Sequence, residues 1–218
     1  MKKRLIWDSP TRIFHWSLVI LVSISFTTGL IGGFDIMDYH QLSGYGILTL
    51  VIFRIIWGVI GNDHARFTQF IKGPAATFTY LRRILHREPT EMDGHNPLGA
   101  LSVISLLTAL LIQATTGLFA NDDILLEGPL VHLVSNSTSQ TLTAIHETMA
   151  WILAGLVTLH LIAIAYHSLI RREDLLLPML RGWRESNTLE GNAKNPRLRG
   201  LVVFSLVAAG VYGLITYL

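Results

Sequence analysis

Four histidines stand in stretches otherwise fit for lipid: His15, His40, His146 and His160. His146 and His160 are about four helical turns apart, a spacing that returns to nearly the same helix face about 21 Å further along. His15 lies roughly four and a half turns before Ile31, the outer end of the first apolar stretch, and His160 lies about as far after Thr143, where the fourth begins. Both are therefore about 24–25 Å below one membrane surface. His40 and His146 share the other level, near that surface. Imidazoles inside spans are costly and are functional by default. Hydrogen-bonding glue between helices is the bland reading of one such histidine. Four at two matched depths point instead to two bis-histidine sites, His15–His160 and His40–His146.

Two imidazoles per site suit low-spin haem that passes electrons rather than binding oxygen. Copper or zinc would want a third or fourth ligand, and none is expected at either level. The run His146-Glu147 lacks the second histidine of a zinc-protease motif. The chain has no cysteine, which excludes disulfides, thiolate-held iron–sulfur clusters and covalent haem attachment. Any haem is held by side chains alone. Arg54, about four turns after His40, falls on the same face at the inner level, where a haem propionate is its expected partner. Gly29, about four turns after His15, and Gly44, one turn after His40, would let a porphyrin approach the backbone; close helix packing is the alternative for both. His167 shares the face of His160 but lies too deep to meet His15. It is expected at the inner rim, bonding a propionate or lining a quinone pocket. His64, His86 and His95 read as solvated, and His132 as an outer-surface residue.

Helices in lipid must carry these groups. Of 218 residues, 50% are hydrophobic and 15% charged, with a mean hydropathy of +0.46, so the composition is that of an all-α integral membrane protein. Five stretches are long enough to cross: 13–31, 42–60, 98–119, 143–170 and 201–218. Asp8 or Ser9 caps the first, with Pro10 in its first turn. No removable signal peptide precedes it. Of the 17 basic residues, all but Arg54 fall in the N-terminal arm, the 61–97 connection or the 171–200 connection. The other two connections carry acids instead, among them Asp122, Asp123 and Glu127. The positive-inside rule then puts the N-terminus in the cytoplasm and the C-terminus outside a bacterial inner membrane. Residues 74–87 read as an amphipathic surface helix, with Phe78, Leu81, Ile84 and Leu85 against lipid and Arg82, Arg83 and Arg87 snorkelling. Residues 125–141 read as a similar outer surface helix.

The elements PTRIFHW (10–16), HQLSGYG (40–46), RIIWG (54–58), HNPLGA (95–100), TGLFANDD (116–123) and IHE with LH (145–147, 159–160) resemble the prokaryotic cytochrome b561 family, which includes the b-type subunits of nickel–iron hydrogenases. The resemblance runs from Pro10 to Pro178. It implies a four-helix transmembrane bundle with two haems b on His15, His40, His146 and His160. Residues 1–178 would form that dihaem bundle. Residues 179–218 would add a cytoplasmic connection and a fifth, C-terminal transmembrane helix outside the smaller members' pattern. The expected function is electron transfer between the quinone pool and a periplasmic redox partner such as a c-type cytochrome. The alternatives are a membrane anchor subunit of a nickel–iron hydrogenase or dehydrogenase, and a superoxide:quinone oxidoreductase. The lack of basic residues outside counts against the last.

Overall fold

The computed structural model describes residues 2–86, 88, 95–122, 126–186 and 196–217. Its frame is five long apolar helices: α1 (Ser9–Ile31), α2 (Phe34–Ile60), α5 (Pro97–Gly117), α6 (Asn136–Ala165) and α8 (Arg197–Tyr217). Each matches one expected span, and several begin earlier than their apolar runs because polar caps start them. The Asp8 carboxylate accepts from Thr11 N at 2.9 Å, with Pro10 in the first turn of α1. Asn96 caps α5 through Gly99 N at 2.7 Å, directly ahead of Pro97. Ser135 caps α6 through Thr138 N at 3.2 Å. These side chains satisfy amide donors that would otherwise be orphaned at helix starts. Gly32 and Gly33, at φ +67° and +89°, make the tight reversal between α1 and α2, a conformation other residues resist.

The molecule is a multi-pass membrane protein, and α2 is its centre. It packs against α1, α5 and α8, while α5 packs along α6. Over half of its span (56%) is buried, against 6% for α1 and α6. Val51 and Trp57 on α2 are fully enclosed. The Trp57 indole N–H donates to Asp8 at 3.2 Å, joining α2 to the cap of α1. Large exposed apolar side chains on the outer helices, such as Ile20, Leu159 and Leu206, face where lipid would lie. The fifth span, α8, lies against α2 and α1, with Val207 and Val211 buried.

The short α3 (Phe67–Phe70) and α4 (Pro74–Leu85) follow α2. α4 is the expected surface helix: Phe78 and Leu81 are exposed and Tyr80 turns inward. Arg87 lies outside the described residues. The expected outer helix over 125–141 does not form. Asp123 and Leu125 lie outside the described residues; beyond them come an Asn121–Glu127 bridge, a 3₁₀ turn at Val131–Leu133 and then α6 itself. Gly128 and Pro129 break any helix before Leu130, which is buried. The Ser139 hydroxyl donates to Phe119 O at 2.8 Å, so this part of α6 is bound to the bundle rather than laid on a surface.

One feature has no precursor in the sequence pattern. Strand β1 (Lys2–Leu5) pairs antiparallel with β2 (Trp183–Ser186), which follows α7 (Leu176–Arg181). Ile6 N and Trp7 N both donate to Gly182 O, at 2.8 and 3.0 Å. Arg12 donates to Met179 O and Leu180 O, and Trp16 Nε1 to Met179 O. This clasp ties the start of α1 to the segment after α6.

Candidate metal centres

The bundle has a basic end, where α1 begins, and an acidic end, where the α5–α6 connection lies. At the acidic end, His40 and His146 face each other with ring centres 6.0 Å apart and planes at 83°. A metal–imidazole bond of roughly 2 Å on each side, plus the reach from each ring centre to its nitrogen, spans about that distance. His40 Nδ1 lies 2.8 Å from Ser25 O on α1. His146 Nδ1 lies 2.9 Å from Gln113 O on α5. A carbonyl oxygen only accepts, so each Nδ1 carries the proton and each Nε2 keeps its lone pair for a metal. The lone pair of His146 Nε2 accepts from the Gln113 side-chain amide at 3.1 Å, a bond that a metal there would replace.

Two glycines make room for these rings. A Cβ on Gly29 would sit 3.0 Å from the His40 ring, and one on Gly117 would sit 2.8 Å from Cε1 of His146. The space expected beside Gly29 for a porphyrin is thus taken by the imidazole of His40. Gly44 differs: nothing lies within 4 Å of where its Cβ would be, which leaves room for a flat group against α2.

At the basic end, His15 and His160 come within electrostatic reach of one another. His160 Nδ1 is 3.5 Å from the Ser102 hydroxyl on α5. His15 packs edge-on against Trp16 at 5.0 Å, and its Nδ1 is buried without a partner. Arg54 is 2% exposed. Its guanidinium lies over Phe67 at 4.9 Å and beside Phe70 at 6.0 Å, with Nη1 buried and unpartnered. Removing an ion from water costs several kcal/mol, and two aromatic faces return about 1–2 kcal/mol each. Asp8 is within electrostatic reach, but its two oxygens already hold Thr11 N and Trp57 Nε1. The remaining guanidinium donor suits a further anion.

His95 corrects an expectation. Instead of being solvated, its ring is held between Trp7 at 4.6 Å and Phe70 at 4.4 Å, with Nδ1 buried and unpartnered. Burial first, and then the nearby Arg54 guanidinium and the imidazoles of His160, His64 and His15, push its pKa down to about 3, so the ring is neutral. His167 sits at the basic rim on a π-helical turn, Tyr166–Ile170. Its Nδ1 meets Glu173 at 2.8 Å, and Glu173 also takes Arg171 Nε at 3.4 Å. His64 is half-buried and His86 and His132 are exposed.

Among the described residues, no three or more His, Cys, Asp or Glu side chains converge as a ligand cluster. Paired imidazoles fit an iron whose other four positions a porphyrin fills, and they leave a zinc or copper ion under-coordinated. Ser25, Ser102, Gln113, Gly117 and His95 were not foreseen as site residues. Only Gly117 left a usable signal: it ends the third span at the acidic level, as Gly29 does near the end of the first.

A family model described as prokaryotic cytochrome b561 matches residues 6–182. A relative from Azotobacter chroococcum mcd 1, named "Probable Ni/Fe-hydrogenase B-type cytochrome subunit", is 22% identical over 211 residues, covering 82% of this chain and 87% of its own. Proteins of the same name from Bradyrhizobium diazoefficiens and Rhizobium leguminosarum bv. viciae are 23% and 24% identical, covering 83% and 82% of this chain and 85% and 87% of theirs. No solved structure matches the chain.

Proposed function

The chain belongs to the prokaryotic cytochrome b561 family and is a membrane b-type cytochrome; from that premise we propose that it is the membrane electron-transfer subunit of a nickel–iron hydrogenase-type oxidoreductase. Electrons from that partner would cross the bilayer through two haems b and reach the quinone pool. The observation that carries the reading is the His40–His146 pair, with rings 6.0 Å apart and both Nδ1 atoms committed to carbonyls. Haem, when bound, supplies the one-electron iron couple. The protein's part is to hold it: His40 and His146 ligate at the acidic end, and His15 and His160 at the basic end. Ser25 O and Gln113 O fix the tautomers of the first pair. Arg54 neutralises a propionate at the basic end. The apolar helix faces keep water out, which lowers the reorganisation that electron transfer demands. His167 marks the basic rim, where a quinone head group would approach.

The relatives' names favour the anchor-subunit reading over the stand-alone wire. The wire, from quinol to a periplasmic c-type cytochrome, keeps one supporting observation: the acidic end displays Asp122 and Glu127, which would steer a basic partner. The excess of Lys and Arg at the other end supports an inner-membrane orientation with the N-terminus cytoplasmic and the C-terminus periplasmic. Purification of the tagged protein from its own membranes in mild detergent, with identification of what accompanies it, separates the two. A co-purifying hydrogenase-type metalloprotein with hydrogen-dependent haem reduction is the expected result. A c-type cytochrome alone, with quinol-dependent reduction, would overturn the anchor reading.

A further inference from the structure

Two of the buried, unpartnered nitrogens at the basic end, Arg54 Nη1 and His95 Nδ1, lie beside one aromatic ring. Phe70 has the Arg54 guanidinium 6.0 Å from its centre and the His95 ring 4.4 Å away. We propose that His95 is a second holder of a porphyrin carboxylate, acting with Arg54 to receive the two propionates of the basic-end haem. The inference rests on the dihaem reading above and extends it to a residue outside the ligand set.

The local sequence builds this position. Asn96 caps α5 and Pro97 fixes its first turn, so the backbone of His95 is set just before a rigid helix start. Trp7 packs edge-on against the ring at 4.6 Å. Trp7 is itself held by its N–H to Gly182 O at 3.0 Å, so the clasp at the basic end fixes one wall of the nest. A buried polar group left unpaired costs about 1–3 kcal/mol, and two such groups beside one ring mark a place shaped for an absent acceptor. Haem b brings two carboxylates. A neutral imidazole N–H and a guanidinium both donate to carboxylates, and the second also supplies the charge. His15 and His160 both lie within electrostatic reach of His95, so the nest adjoins the basic-end ligand pair and is remote from His40 and His146.

The test compares the purified holoprotein with His95→Phe, which keeps the ring and removes the donor, and His95→Gln, which restores an N–H. Resonance Raman propionate-bending bands report hydrogen bonding at the carboxylates, and a redox titration gives the two midpoint potentials. The haem absent from His160→Ala identifies the basic-end set. For His95→Phe, both haems should be retained, the bending band of the basic-end haem should shift and its midpoint should fall, because a lost donor leaves more negative charge beside the iron. His95→Gln should recover much of both. Unchanged bands and midpoints in His95→Phe overturn the inference, and so does loss of haem from both variants, which would make His95 a packing residue. If the wild type itself binds no haem, the dihaem reading fails first and this inference falls with it; if the wild type binds two and His95→Phe is silent, only this inference falls.

Discussion

His40 and His146 approach each other because glycine stands behind each ring. Gly117→Ala would put a methyl 2.8 Å from His146 Cε1, closer than carbon atoms tolerate. The ring must turn, which shifts it from its place opposite His40. Gly117→Ala is expected to lose most of the acidic-end haem while keeping the other, as seen by pyridine haemochrome assay of the purified variant. Gly44→Ala is the contrasting case. Its Cβ meets no protein atom, so it should leave the haem-free fold as stable as before and lower haem retention only through the porphyrin. Equal haem content in Gly117→Ala and wild type would contradict the geometry. At this scale the ligand candidates were legible in the sequence, because helix periodicity alone places side chains four turns apart on one face. Their hydrogen-bond partners were not: Ser25 and Gln113 act through main-chain oxygens, which every residue has. His95 was misread because the aromatic walls that enclose it, Trp7 and Phe70, come from distant parts of the chain.

At the scale of elements, the five spans were legible because lipid demands long uninterrupted apolar runs. The segment before α6 was misread, since its Ser and Thr residues suit a surface helix as well as a capped helix start. The clasp of β1 with β2 was invisible: short strands separated by most of the chain leave no local signal. Gly182 is its hinge, at φ +91°, with Arg12 Nη1 2.7 Å from where a Cβ would stand. Gly182→Val should cost about 1–2 kcal/mol for the left-handed backbone alone, with steric conflict in addition. The expected outcome is a lower unfolding midpoint in detergent, with haem content near that of the wild type at low temperature. An unaltered midpoint would mean that the clasp contributes nothing to the stability of the bundle.

Across the whole molecule, two levels of imidazoles, a central helix enclosed by its neighbours and one-sided basic charge are what the proposed reading joins: a dry path for electrons from one membrane face towards the other. Matched depth on continuous helices is what would make this an electron path rather than two unrelated metal sites. The direct measurement is haem b per polypeptide in the purified wild type, with reduced-minus-oxidised spectra of His146→Ala and His160→Ala alongside. The account predicts two low-spin haems per chain, one remaining in each variant, with different ones lost. A wild-type value near one, or the same haem lost from both variants, would contradict it.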